Sequence, residues 1–343
     1  MFSNPAYPTY QAFLALGVAA LVVMLVMPLW IRLLKHEGIG QQVRADGPQR
    51  HLVKQGTPTM GGVVILMGVV VSCLLIGRPT YEMMLAAGVA LATGALGLFD
   101  DATKVVQGRS LGLTPTAKMV GLTAIVVAFF ILAVNFCGVE PVIAFPGGFH
   151  IDLGVLATTV TLGAMSIQIP WLYLVFVFLL LAGMSNAVNL TDGLDGLAGG
   201  TVMIAMLVMA AICFLSGDAN LAIFCAACAG GCLGFLWFNA YPASIFMGDT
   251  GSLALGAGFA GVAILTNTEV ISLIVGALFV AEALSVMIQV AYFKKTKKRI
   301  FLMAPLHHHF EKKGWAETKV VIRFWIIAAA CGALGLACFF QLG

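Results

Sequence analysis

Charge is what this chain has least of. Only 10% of its 343 residues are charged, against 61% hydrophobic, whereas soluble domains carry about 25% charged residues. With a mean hydropathy of +1.02, the shortage excludes a soluble protein with one large core. Uncharged runs of 17 or more residues recur from end to end, which implies an integral membrane protein with many spans. The N-terminus has neither the basic start nor the small-residue cleavage site of a signal peptide, and the first charged residue is Arg32. No G-x-x-x-x-G-K-[ST] run occurs, so nothing points to ATP hydrolysis. The eight cysteines fall mostly inside apolar runs, as small hydrophobes do. Cys225, Cys228 and Cys232 are spaced to share a helix face, but no His or acid joins them, which argues against a metal or redox site.

Ten apolar segments have the length of a membrane helix, at about 10–31, 60–77, 83–99, 119–137, 167–185, 200–217, 219–238, 250–268, 270–292 and 324–342. The expected fold is all-α, one polytopic membrane domain over 1–343 with ten transmembrane helices. Segment 141–166, with Pro, Gly and a Thr-rich stretch, leaves room for a further short membrane segment. Ten spans put both termini on one side and the loops 32–59, 100–118, 186–199, 239–249 and 293–323 on the other. Those five loops hold 17 of the 18 basic residues, and the opposite side holds Arg78 alone. The positive-inside rule makes the five loops cytoplasmic and both termini periplasmic. Nine of the fifteen acids lie on the same side, where anchoring does not need them, so the working face is cytoplasmic.

Each loop carries a distinct set of polar groups. "HLVKQGTPTMGG" offers Lys54 as a mobile cation, Thr57 and Thr59 as hydroxyls, and Gly61–Gly62 as open backbone donors where a helix starts. In "GLFDDATK", Asp100 and Asp101 end an apolar run, so they sit near headgroup depth as a base or a cation site. Lys104, one turn on, and Lys118 are phosphate candidates, and Lys118 serves equally as a snorkelling anchor. "NAVNLTDGLDGLAGG" repeats Asn186, Asn189, Asp192 and Asp195 every third residue with no Lys or Arg to offset the acids, which suits a tight turn or broken helix lining a cavity. "WFNAYPASIFMGDTGS" adds Asn239, Phe246 as a stacking ring, and Asp249 between backbone donors before an apolar helix. Magnesium prefers carboxylate oxygens, so Asp249 is the expected metal ligand, with Asn189 as helper. "APLHHHFEKKGW" places His307, His308 and His309 in the largest loop. Three consecutive histidines point in different directions and suit phosphate binding or proton movement better than one zinc ion.

Carboxylates, a hard cation, scattered basic groups and a ring at the cytoplasmic membrane surface suit phosphoryl transfer. A transporter is the rival class, and would want ionisable residues near mid-bilayer. Only Glu282, inside the ninth span, fits that pattern. A structural scaffold gives no reason for uncompensated Asp192, Asp195 and Asp249.

Taken together, "KQGTPTMGG", "GLFDD", "NAVNLTDGLDGLAGG", "FMGDTGS" and "PLHHHFEKKGW" resemble the polyprenyl-phosphate N-acetylhexosamine-1-phosphate transferases, from about residue 30 to the last helix. The "PLHHHFE" form, with Trp315 and Glu317 downstream, points to the muramoyl-pentapeptide branch, and a related UDP-N-acetylhexosamine phospho-sugar transferase is the alternative. The resemblance implies ten helices in a bacterial inner membrane and a homodimer. It implies transfer of the phospho-sugar of UDP-N-acetylmuramoyl-pentapeptide to undecaprenyl phosphate with Mg²⁺, releasing UMP, and no nucleic acid. By motif it makes Asp249 the magnesium ligand and ties Asp100 and Asp101 to catalysis and the lipid phosphate. Asn189, Asp192, Gly193, Leu194 and Asp195 lie in its nucleotide segment. Phe246 matches a ring beside uracil, Lys54 a polar contact there, and His307 and His308 residues near phosphate or sugar. Thr59, Lys104, Lys118, Asn239 and His309 complete the set of expected substrate contacts, and Asp249, His307 and His308 join the two paired acids as expected catalytic residues.

The topology is testable by itself. A probe attached at residue 249 should be reached by impermeant reagent only after the membrane is opened; labelling of intact cells there would refute the orientation.

Overall fold

The computed structural model describes residues 9–40, 56–108, 112–163 and 165–342, the side chains of Leu162 and Met165 excepted. Lys54 therefore lies outside the described residues. Within them the chain forms α1 (Tyr10–His36), α2 (Gly62–Ile76), α3 (Tyr81–Val106) and α4 (Pro115–Phe136), then β1 (Val142–Ala144), β2 (His150–Asp152), β3 (Ala157–Leu162) and β4 (Met165–Pro170). There follow α5 (Trp171–Thr191), α6 (Leu197–Leu215), α7 (Ala219–Asn239), α8 (Gly248–Leu265), α9 (Glu269–Val275), α10 (Ala277–Thr296), α11 (Leu306–Lys312) and α12 (Glu317–Phe339). Nine of these helices are long and apolar enough to cross a membrane, and α2, also apolar, has 15 residues. The protein is thus a polytopic helical membrane protein.

Three elements differ from the sequence reading. Among its described residues the segment after α4 holds no helix, and it adds a small β part to the expected all-α fold. It folds as two antiparallel hairpins, β1–β2 and β3–β4, with Thr158, Thr159 and Val160 opposite Ile169, Gln168 and Ile167. β-Branched residues favour that pleated pairing over a helix, and Gly163 takes the positive φ that ends β3. The ninth span is broken at Gly276 into α9 and α10. Glu269, just before that span, is fully buried and accepts a hydrogen bond from the Tyr173 hydroxyl at 2.8 Å. Finally, α3, α5 and α12 run further toward the working face than the apolar pattern indicates, so Asp100, Asp101, Asn186 and Asn189 are helical.

α7 and α8 are the inner helices, buried along most of their length. α1, α4 and α10 instead turn apolar side chains outward, among them Leu21, Leu25, Val120 and Met287, as lipid-facing helices do. Lipid offers no hydrophobic drive between helices, so small residues that let backbones approach carry the packing. The sequences of α7 and α8 are rich in such residues. Gly230 of α7 lies on the Leu16 backbone of α1, Gly251 of α8 on Gly62 of α2, and Gly256 of α8 on Met184–Ser185 of α5. Side-chain hydroxyls add cross-helix bonds, from Ser72 to the Ala15 carbonyl at 2.7 Å and from Ser185 to the Leu253 carbonyl at 3.0 Å.

A methyl group at Gly62 would collide with the Gly251 backbone, whereas one at Gly88 meets nothing within 4 Å. Gly62→Ala should therefore cost about 1–3 kcal/mol and lower the melting temperature in detergent. Gly88→Ala should leave it unchanged or raise it slightly.

Candidate active site

The site starts where the end of α3 meets the start of α8. α8 has no capping side chain of its own, and a helix start leaves four backbone N–H groups without partners. Asp101 supplies the cap from across the interface. Its Oδ1 accepts from the Asp249 N–H at 3.2 Å, and its Oδ2 accepts from the Thr250 N–H at 3.0 Å and the Thr250 hydroxyl at 2.8 Å. Two glycines make room. A Cβ at Gly97 would strike the Asp249 carbonyl, and one at Gly248 would crowd Asp101 Oδ2. Gly248 also has φ 76°, a left-handed value that glycine adopts freely.

That docking brings Asp100, Asp101 and Asp249 together, with ligand oxygens all within 4.8 Å of one another. Lys104, one turn along α3, lies among them, with Nζ 2.7 Å from Asp100, 3.3 Å from Asp101 and 3.3 Å from Asp249. Lys118, in the first turn of α4, reaches Asp249 Oδ2 at 2.6 Å. Asn189, in the last turn of α5, donates to Asp249 Oδ1 and to the Ser252 hydroxyl, each at 2.8 Å. Asp100 Oδ1 accepts from the Leu113 N–H at 2.9 Å. Asp249 is the most open of the three acids, its side chain 16% exposed against 5% and 3% for Asp100 and Asp101. Three carboxylate oxygens are the donor set that hard divalent cations prefer. The Lys104 ammonium resting against all three shows that positive charge is held at that point. The cluster is a candidate site for a divalent cation.

The turn after α5 adjoins this cluster. Burial, with the charges of Asp249, Asp101 and Asp195 in support and Lys104 opposing, pushes the Asp192 carboxyl up to about 7. Asp195 is buried, accepts from the Ala243 N–H at 3.0 Å, and its own N–H donates to Glu317 at 2.9 Å. Asn239 is a clasp. Its Oδ1 accepts from the Gly196 N–H at 2.9 Å and its amide donates to the Ile245 carbonyl at 2.8 Å. Leu194 packs in an apolar cluster with Leu197, Val320 and Phe324. Phe246 is half-buried, and its backbone pairs with Pro58 and Gly61. Thr59 is buried beside Gly248.

The histidines sit on α11, and each has a different partner. His307 is fully buried against Glu282 of α10 and abuts Gly193. His308 Nδ1 pairs with Glu311 at 2.7 Å. His309 Nδ1 accepts from the Leu302 N–H at 3.1 Å, its ring lies edge-on to Phe301, and desolvation and then Lys313 lower its pKa. His309 thus braces the loop before α11. Glu282, the one mid-span acid that a transporter reading rested on, is spent on His307.

Most of the expected residues thus meet in one neighbourhood. The sequence makes Lys104 a phosphate-binding candidate and Lys118 either that or a snorkelling anchor, and here both are salt-bridged to carboxylates. Sequence reasoning passed over Thr250 and Ser252, which follow Asp249 and were visible as hydroxyls in the first turn of α8. It also passed over Leu113 and Trp325 (whose indole donates to the Gly196 carbonyl at 3.2 Å), and Glu282, open to reading as a buried hydrogen-bonding residue, has His307 as the partner that the sequence did not name. Nothing local in the sequence marks those contacts.

Known proteins resemble this chain along most of its length. Residues 83–267 match glycosyl transferase family 4, and residues 54–66 match phospho-N-acetylmuramoyl-pentapeptide-transferase signature 1. Curated relatives named phospho-N-acetylmuramoyl-pentapeptide-transferase include one from Rhodococcus opacus, 45% identical over 96% of this chain and 97% of its own. Another, from Rubrobacter xylanophilus, is 44% identical over 96% and 98%, and one from Neisseria gonorrhoeae is 46% identical over 96% and 93%. With all three acids of the cluster inside the matched span and the likeness running nearly end to end, the chain belongs to glycosyl transferase family 4, in its phospho-N-acetylmuramoyl-pentapeptide-transferase branch.

Proposed function

We propose that the chain transfers phospho-N-acetylmuramoyl-pentapeptide from its UDP-linked donor to undecaprenyl phosphate. The products are undecaprenyl-pyrophosphoryl-N-acetylmuramoyl-pentapeptide, known as lipid I, and UMP. This is the first membrane step of peptidoglycan synthesis, and so feeds wall growth, cell shape and division. The setting is the bacterial inner membrane, with the site facing the cytosol and both termini periplasmic, and the expected assembly is a homodimer. The observation that carries the reading is the Asp100–Asp101–Asp249 cluster, with Lys104 and Lys118, at the ends of membrane helices. There a lipid phosphate arrives from the bilayer and a nucleotide from the water.

In this reading an oxygen of the lipid phosphate forms the new bond to the β-phosphorus of the donor. The bond from that phosphorus to the bridging oxygen breaks, and UMP leaves with the electron pair. A phosphate oxygen is already a competent nucleophile, so holding two anions together supplies much of the rate without a covalent enzyme step. Asp100 accepts the proton of the lipid phosphate. Asp101 holds α8 in place and so sets where Asp249 stands. Lys104 and Lys118 are released from their carboxylates toward phosphoryl oxygens as the anions arrive. The Asn189–Asp195 segment, Phe246 and Lys54 receive the nucleotide. His307 and His308 meet phosphate or sugar, while Asn239 and His309 hold the loops that carry these groups. Mg²⁺ fits the oxygen donors of Asp249, with Asn189 beside it, and when bound supplies charge neutralisation at the phosphates.

In a detergent-solubilised assay, Asp100→Asn and Asp249→Asn should each lower turnover by about 10²-fold or more, and Asp100→Asn should keep UMP affinity near the wild-type value. EDTA should abolish product and Mg²⁺ restore it. Stoichiometric UMP released without lipid acceptor, with the phospho-sugar retained on protein, would show a covalent intermediate and overturn direct attack.

Labelled UDP-N-acetylmuramoyl-pentapeptide should be converted and UDP-N-acetylglucosamine left intact. Equal use of both would move the chain to another glycan, and substrate flux into proteoliposomes without conversion would make it a transporter.

A further inference from the structure

Glu282 has no exposed surface, lies inside α10, and has no part in the chemistry described so far. A charged group buried in this way costs several kcal/mol unless donors satisfy it. Among the described residues, the donors to its side chain come from one residue. Glu282 Oε1 accepts the His307 backbone N–H at 3.2 Å and lies 3.2 Å from His307 Nδ1. As an anion the Glu282 carboxylate only accepts, and it then selects the form with hydrogen on Nδ1, the ring presenting Nε2 on its far side. Nε2 is buried and has no hydrogen-bond partner among the described residues, and neither has Glu282 Oε2.

A buried imidazole nitrogen without a partner is an atom set aside for something. Here Nε2 is aimed at Gly193, where a Cβ would collide with it. Gly193 sits in the turn whose Asp192 feels the charges of Asp249 and Asp101. The neighbouring His308 ring, 4.2 Å away between centroids, is likewise held through Nδ1 by an acid, Glu311. Two adjacent imidazoles thus have carboxylates behind them.

We infer that Glu282 is a positioning residue: by accepting from both His307 N–H groups, it fixes the Nδ1–H tautomer and aims Nε2 past Gly193 at a nucleotide-sugar donor on the Asp192–Asp195 turn. This rests on the transfer reading above for the identity of the ligand. The Nδ1–H form is what this pair selects when Glu282 is an anion and the ring is neutral, and it does not depend on the identity of the ligand. Gly193 is part of the same device, because any side chain there would fill the approach to Nε2.

The test uses the full chain in lipid nanodiscs, as wild type, E282L, E282Q, H307A and the double variants E282L/H307A and E282Q/H307A. E282L should lower kcat by about 10–100-fold, the range for losing a group that orients a ligating or catalytic histidine, with KM for the UDP-linked donor little changed. E282Q keeps an acceptor oxygen and should recover part of that loss. In the H307A background neither substitution should lower kcat further. Losses that add in full to that of H307A would mean Glu282 acts on packing alone, and would overturn the inference, as would E282L turning over at the wild-type rate. Should E282L fail to fold, the E282Q cycle decides on the same criterion. Nitrogen-15 spectra of histidine-labelled protein, with His307 assigned from H307A, should show hydrogen on Nδ1 in wild type and E282Q. A wild-type hydrogen on Nε2 alone would overturn the inference. That measurement needs no substrate, so an inactive wild type would count against the transfer reading while the spectra still decide the tautomer.

Discussion

The capping of α8 by Asp101 is the contact on which the site depends. A helix that starts at the membrane surface among packed neighbours needs partners for its first N–H groups, and its partial positive charge favours an anion there. Asp101 provides both from a different helix. The contact exists only because Gly97 and Gly248 let the two backbones close. Once it forms, Asp249 has little freedom left. It lies beside Asp100 and within reach of Lys104, Lys118 and Asn189.

Three carboxylates so close repel one another, and the two lysines offset that repulsion in the form described here. Each lysine is therefore an ammonium held ready, bound to a carboxylate that anionic substrates and a divalent cation can compete for. Electrostatics placed before the substrates arrive needs little reorganisation during reaction. The arrangement also draws its residues from α3, α4, α5 and α8 together. No single helix end carries enough groups of both signs.

The histidine triplet shows the same division of labour on a smaller scale. Consecutive residues on one turn of α11 face different ways, and each ring finds its own partner: Glu282, Glu311 and the Leu302 N–H. Only the first two are backed by carboxylates. A run of identical side chains thus becomes three separate devices, because a helix rotates successive residues by about 100°.

Much was readable without coordinates. Membrane spans follow from composition, because the free energy of leaving water is nearly a sum over residues and needs no knowledge of neighbours. The motif segments stood out because uncompensated Asp192, Asp195 and Asp249, and the pair Asp100–Asp101, are costly at a membrane surface without a use. The ends of α3 and α5 were less legible. Asp100 and Asn189 look like loop residues when polarity alone is read, yet they continue a helix whose backbone bonds do not depend on apolar side chains. The hairpins of 142–170 are stabilised by pairing between segments, and the break at Gly276 came from no strong local signal. By itself the sequence determined that the chain is a membrane protein built of many apolar helices, and which short segments between them gather polar and charged residues. Only the tertiary structure decided that Asp101 caps α8, that Lys104 and Lys118 neutralise the acids, and that Glu282 holds His307. Each of those is a contact between residues far apart along the chain, set by how closely two backbones approach, and that distance is a property of packed helices that no local run of residues contains.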